Sequence, residues 1–113
     1  MSKKQTRWVI MALVLATLAI APAGRGVLLR RHARRNEFYH DWYARKAANH
    51  HEAARECLEF GGERMIAVAK DYQAMGDAEA RQAAEHAALA LAYWRAFWRP
   101  WLVPPTDPGP APP

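Results

Sequence analysis

The stretch Glu59-Phe60-Gly61-Gly62-Glu63 divides the second half of this 113-residue chain into two helical regions. A glycine costs a helix interior roughly 1 kcal/mol, so two adjacent glycines end the helix that precedes them. Apolar residues show helical spacing both before the pair and after it. The sequence therefore predicts an all-α fold with a helical hairpin or three-helix region that turns back at the glycine pair.

Before the glycine pair, side chains that are apolar except for His50 recur at steps of three or four residues from Tyr39 to Cys57. This spacing is typical of a helix that buries one face. Asn36 stands just before the stripe, and asparagine is a favourable N-cap. We therefore expect the first helix of the hairpin over residues 36–60.

After the glycine pair, Gly76-Asp77 combines a residue that often follows a helix with one that often begins the next. We therefore expect two helices, over residues 63–75 and 78–99, the last ended by Pro100. The expected buried stripe of the last helix is Ala80, Ala84, Ala87, Leu91, Trp94 and Trp98.

The last helix ends in aromatic residues, which we expect to lie antiparallel to the aromatic start of the first helix, Phe38 to Tyr43. A buried aromatic core is the main interpretation, and a surface for a partner is the alternative. Because such a small core gives only roughly 3–5 kcal/mol, a protein partner or a homo-oligomer is expected. The candidate residues are Trp42, Tyr43, Trp94, Phe97, Trp98 and Trp101.

The N-terminal part begins with a basic segment, residues 1–7, and continues into an uncharged one. Extended through Leu29, and therefore across Arg25, the segment reaches about 33 Å as a helix, enough for a hydrocarbon core of ~30 Å. We expect a retained single-pass transmembrane anchor over residues 8–29. The alternative is a secretory signal cleaved near Ala23. The anchor residues expected in lipid are Trp8, Leu13, Leu18 and Leu28.

A basic flank, residues 30–35, follows the anchor and suits anionic lipid headgroups, at roughly 1 kcal/mol per basic residue. Its arginines are Arg30, Arg31, Arg34 and Arg35. A basic block also resists export, which favours retention, although the side of the membrane stays open. Residues 36–113 carry eleven acids and eight bases, so no nucleic-acid partner is expected.

The chain shows no catalytic constellation, so we expect no enzymatic activity, cofactor or small-molecule substrate. Its five histidines make metal or haem binding a remote alternative, but no two of them stand three or four residues apart, as helical metal ligands usually do. They are His32, His40, His50, His51 and His86. Residues 100–113 are proline-rich and predict a disordered tail, whose Leu102 and Val103 are expected to fold back onto the helix end.

Two resemblances add to this interpretation. Residues 68–79, with the Ala-Leu-Ala-Leu run at 88–91, are similar to part of a tetratricopeptide repeat, although Arg81, Glu85 and Tyr93 depart from its pattern. This likeness implies an antiparallel helix pair. The motif H-x-x-L-x-x-x-Y-x-x-A-x-x-x-P-W-L at 86–102, before Asp-Pro, resembles the ending of short uncharacterised single-pass membrane proteins of planctomycete bacteria. That resemblance implies a small membrane-anchored helical protein and no particular activity.

The sequence as a whole predicts a small membrane-anchored helical protein that acts as a non-catalytic interaction, scaffold or accessory subunit. An exported soluble binding module, released by cleavage near Ala23, is the alternative.

Overall fold

The computed structural model describes residues 2–106, which form two α-helices joined by a tight turn. Helix α1 is Lys3–Phe60, and helix α2 is Glu63–Trp98. They lie antiparallel in a rod 90 Å long and 22 by 16 Å across. The all-α class and the helical hairpin are confirmed. The three-helix arrangement is not, and residues 107–113 of the predicted tail lie outside the described residues.

The turn between the helices depends on the glycine pair. Gly61 and Gly62 have φ angles of 82° and 95°, values that residues with a side chain adopt only under strain. The Gly61 N–H donates to the Cys57 carbonyl at 3.2 Å and closes the last turn of α1. The predicted break at these two glycines is confirmed.

Helix α1 begins far earlier than residue 36. Ser2 and Gln5 form a capping box at its start, and the helix continues through Pro22, where one backbone donor is missing. Asn36 is only 2% exposed, and its Nδ2 donates to the His32 carbonyl one turn back at 2.9 Å. The prediction of Asn36 as an N-cap is therefore wrong, because this side chain serves the middle of a continuous helix.

Helix α2 also continues where a stop was predicted, at Gly76-Asp77. A Cβ placed on Gly76 would overlap the His51 ring of α1, so this glycine lets the two helices approach closely. Asp77 Oδ1 accepts a hydrogen bond from His51 Nε2 at 3.0 Å. The predicted boundary between residues 75 and 78 is wrong because both residues serve the contact between helices.

The helices meet along an interhelical seam, whose positions alternate at steps of four and three residues. This is the heptad spacing of coiled coils. On α1 the seam consists of Leu29, Ala33, Asn36, His40, Tyr43, Ala47, His50, Ala54 and Cys57. On α2 it consists of Met65, Ala69, Tyr72, Gly76, Glu79, Ala83, His86, Ala90, Tyr93 and Phe97. A small residue recurs every seven positions from Ala69 to Ala90, which leaves room for large and polar side chains of α1.

The stripe predicted for the last helix is wrong by one residue. Leu91 and Trp98 are 51% and 75% exposed, whereas Ala90 and Tyr93 are buried. Since α2 carries alanines around much of its circumference, the positions of the large residues do not identify the buried face.

The largest apolar cluster lies where the last turns of α2 meet α1. Leu29, Ala33, Tyr93 and Ala96 form its buried part. The aromatic end of α2 therefore packs against residues 26–33 of α1, one to three turns closer to the N-terminus than the predicted contact with residues 38–43.

The N-terminal part of α1 extends beyond the hairpin. Within residues 2–106, α1 is the one helix long and apolar enough to cross a membrane, and only 6% of its apolar 18-residue window is buried. Signal sequences share this property. The predicted anchor residues Trp8, Leu13, Leu18 and Leu28 are 55–64% exposed, as lipid-facing side chains would be.

Candidate functional site

All five histidines of the chain engage the opposite helix. His32 stacks on Tyr93, with ring centroids 4.9 Å apart. His40 Nδ1 donates to the Ala83 carbonyl of α2 at 2.9 Å. A donor of α1 thus bonds a backbone carbonyl of α2, which fixes how the helices are aligned along their axes.

The middle of the seam holds a buried polar pair, Asn36 and His86, which are 2% and 6% exposed. His86 Nδ1 donates to Asn36 Oδ1 at 2.7 Å. The His86 ring also stacks on Tyr43, with centroids 5.6 Å apart and planes within 9°. A polar pair inside a coiled-coil seam specifies the register of the helices at a cost in stability.

Nearer the turn, two histidines of α1 face carboxylates of α2. His50 Nδ1 donates to Glu79 Oε2 at 2.7 Å and stacks on Tyr72. The neighbouring His51 donates to Asp77, as described above. Both pairs connect the helices through a hydrogen bond between a base and an acid.

The histidines of the described residues do not form a metal site. Across residues 2–106, no group of three or more histidine, cysteine or acidic side chains lies close enough to hold a metal ion. The histidines, expected from the sequence only as possible metal ligands, instead hold the two helices together. The signal was present in the four-and-three spacing of Asn36, His40, Tyr43, Ala47 and His50.

Arg25 of α1 forms hydrogen bonds at the end of α2. Arg25 Nη1 donates to the Ala96 carbonyl at 3.0 Å, and Nη2 donates to the Leu102 carbonyl at 2.6 Å. Tyr93 Oη donates to the Pro105 carbonyl at 3.0 Å. The first residues of the predicted tail therefore fold back on the hairpin, and Leu102 packs against its apolar cluster.

The structure divides the six predicted aromatic residues into an inner and an outer group. Tyr43 is buried, and Trp42, Trp94 and Phe97 are half-buried. Trp98 and Trp101 are 75% and 76% exposed. The interpretation as a buried core therefore fits the inner group and fails for these two tryptophans.

Charge is distributed unevenly along the hairpin. Residues 25–40 and 86–99, which form its end next to the apolar segment, contain seven arginines and one acid, Glu37. Residues 50–79, at the opposite end, contain seven acids and three bases. Within the predicted flank, Arg30, Arg31 and Arg34 are exposed, whereas the Arg35 Nη2 contacts His32 Nδ1 at 3.0 Å. The hairpin thus has a basic end beside the apolar segment and an acidic tip at the turn.

At the acidic tip, Arg55 contacts two glutamates on its own helix. Its guanidinium donates to both carboxylate oxygens of Glu52 and to Glu59 Oε1, the last at 3.0 Å. The hydrogen bond from Arg55 holds the pKa of the Glu52 carboxyl below its usual range, and the same bond raises the pKa of Arg55. Since both groups are exposed, this contact is an ion pair on the surface and not a buried catalytic pair.

No protein-family model, curated protein or solved structure matches this chain.

Proposed function

We propose that this protein is a single-pass membrane protein whose helical hairpin acts as a non-catalytic interaction or accessory module. The observation that carries the proposal is the continuity of α1, which passes from an exposed, uncharged segment at residues 8–24 directly into the hairpin. Because one continuous helix joins them, a membrane that holds the segment also holds the hairpin and directs its acidic tip away from the bilayer.

The length of the hairpin supports a role in protein contacts. The tip at Phe60 lies about 46 Å along the helix from Leu29. Leu58 and Phe60 are 58% and 84% exposed there, among acidic residues. An exposed phenylalanine on a narrow, charged tip suits contact with another protein or with a second copy of the chain.

The experiment is carbonate extraction of the full-length chain from membranes, with Leu18→Arg and Leu18→Ile compared. Arginine near the centre of a span costs roughly 2.5–3.5 kcal/mol, so we expect Leu18→Arg to lose membrane retention and Leu18→Ile to keep it. If carbonate releases the Leu18→Arg and Leu18→Ile variants from membranes to the same extent, the result counts against the span. A strictly monomeric protein in detergent with no recoverable partner would count against the interaction role.

A second candidate is an exported hairpin, released by cleavage near Ala23. It is supported by Gly24, whose position has no neighbour within 4 Å, and by Arg25, where the contacts with α2 begin. Cleavage there would leave the hydrogen bonds of Arg25 and the buried apolar cluster in place. The intact mass separates the two candidates: a soluble product that lacks residues 1–23 indicates export, and a full-length mass in the membrane fraction indicates an anchor.

A further inference from the structure

The aromatic end of the hairpin lies level with the last turns of the proposed span. Residues 8–24 alone cover about 26 Å as a helix, less than a hydrocarbon core of ~30 Å. The span reaches sufficient length only by including residues 25–29, which already pack on α2. A Cβ on Gly26 would contact the Phe97 ring at 3.4 Å. A bilayer that covers α1 through Leu29 therefore also meets the end of α2.

Three apolar side chains at this end are largely exposed, although the Trp98 ring contacts the neighbouring Phe97 ring edge to face, with centroids 5.0 Å apart. Trp98, Trp101 and Val103 are 75%, 76% and 91% exposed. Tryptophan favours the boundary between headgroups and acyl chains, where its ring is shielded and its N–H stays hydrated. Their exposure in the hairpin is thus explained by a surface that covers them at the depth of Arg25.

The charge of this end selects the kind of lipid. This end of the hairpin carries seven arginines, five on α1, Arg95 on α2 and Arg99 just after α2. Glu37, the one acid in residues 25–40 and 86–99, accepts a hydrogen bond from Trp94 Nε1 at 2.6 Å. A basic surface next to a membrane attracts anionic headgroups by roughly 1 kcal/mol per basic residue. The acidic tip is held far from the same membrane.

A surface groove between the span and α2 joins these two features. It has a volume of about 390 Å³ and is lined by Pro22, Ala23, Gly26, Val27, Arg30 and Phe97. Arg30 is its one charged lining residue, and it is also the lining residue of α1 that follows the proposed span. The apolar residues suit the part of an acyl chain nearest the headgroup, and Arg30 suits the phosphate of the same lipid.

We propose that the aromatic end is a binding surface for anionic phospholipids of the membrane that holds the span. Trp98 and Trp101 insert at the boundary between headgroups and acyl chains. Arg30, with Arg31 and Arg34 beside it, binds the phosphates. This inference rests on the proposed span, since only a bilayer crossed by α1 reaches that depth.

The experiment uses the full-length chain in vesicles whose acyl chains carry bromine near the headgroup, which quenches nearby tryptophan fluorescence. Variants each keep one tryptophan and replace the other four with phenylalanine. Trp101 tests the inference, Trp8 reports on the span, and Trp42 serves as a control about 20 Å further along α1 than Leu29. Vesicles of phosphatidylcholine alone are compared with vesicles that also contain phosphatidylglycerol.

We expect quenching at Trp8 and Trp101 and none at Trp42, with stronger quenching of Trp101 when phosphatidylglycerol is present. Quenching at Trp8 without quenching at Trp101 would overturn the inference and leave the span standing. No quenching at Trp8 would overturn the span itself. Emission of Trp101 that is shielded yet unquenched would indicate a protein contact there and would likewise overturn the inference.

A second experiment tests whether the arginines bind the lipid headgroups. Replacing Arg30, Arg31 and Arg34 together with glutamine should abolish the effect of phosphatidylglycerol on Trp101. Replacing the exposed Arg64, Lys70 and Arg81 with glutamine removes equal charge from the distal part of the hairpin and should leave the effect intact. An equal loss in both triple variants would show that net charge, and no local phosphate site, governs the contact.

Discussion

Arg25 of α1 donates to the carbonyl of Ala96, 71 residues later in the chain, at 3.0 Å. Ala96 lies in the last turn of α2, where helix carbonyls have no partner within their own helix. Arg25 therefore caps α2 from the neighbouring helix, and its second bond, to Leu102, orders the residues that follow.

Loss of this cap should loosen the end of α2. Hydrogen bonds to charged donors contribute about 1.5–3 kcal/mol, and we expect Arg25→Met to destabilise the last turn by about 1–2 kcal/mol, since Arg25 is half-buried. The measurement is hydrogen exchange at the amides of residues 97–99, 101 and 102 in detergent. Arg45→Met, at an exposed position, is the control. Unchanged exchange in the Arg25 variant would show that the cap contributes nothing.

The buried pair of Asn36 and His86 should show energetic coupling. We expect a double-mutant cycle with alanine at both positions to give about 1 kcal/mol of interaction free energy, because either single change removes the same hydrogen bond. The measurement is the thermal stability of the four proteins by circular dichroism. The matched cycle pairs Asn36 with Glu79, which lies about 10 Å from His86 along α2 and should be additive with Asn36. Equal coupling in both cycles would contradict a specific contact.

The contact of Glu52 with Arg55 makes stability depend on pH at the tip. Arg55 lowers the folded-state pKa of Glu52, so the contact stabilises the fold above the unfolded pKa of about 4.3, and this contribution is lost as the pH falls through the lower folded value. We expect Glu52→Ala to be less stable than the parent chain at pH 7 and equally stable in acid below the folded pKa. Melting curves from pH 7 to pH 2.5 measure this, with Glu85→Ala as the control for loss of one exposed acid. A stability difference that persists in strong acid would assign the effect to packing.

The helical class and the turn could be predicted from the sequence because they depend on local properties. The spacing of apolar residues reports on helix formation, and the positive φ angles at Gly61 and Gly62 require glycine. The exposed N-terminal segment was likewise predictable from its lack of charge. These features need no knowledge of what lies across from each residue.

The continuity of the helices and the register of the seam could not be predicted in this way. Asn36 and Asp77 have the local chemistry of helix caps, yet each side chain finds its partner elsewhere, one in the preceding turn of α1 and the other across the seam. A capping tendency of about 1 kcal/mol is easily outweighed when packing continues the helix. The seam itself consists mainly of alanine, histidine and tyrosine, so most of the largest apolar residues do not mark it.

Because Gly76 lies close to His51, the effect of Gly76→Ala on stability should depend on the residue at position 51. Alanine in a helix interior is favoured over glycine by about 1 kcal/mol, but a Cβ at position 76 would overlap the His51 ring. We expect Gly76→Ala to raise stability by about 1 kcal/mol when position 51 is alanine, and by less, or not at all, when His51 is present. The four proteins are compared by thermal melting. Ala78→Gly, at an exposed position two residues away, gives the propensity difference without the overlap. The same gain in both backgrounds would show that the His51 ring does not occupy the space above Gly76.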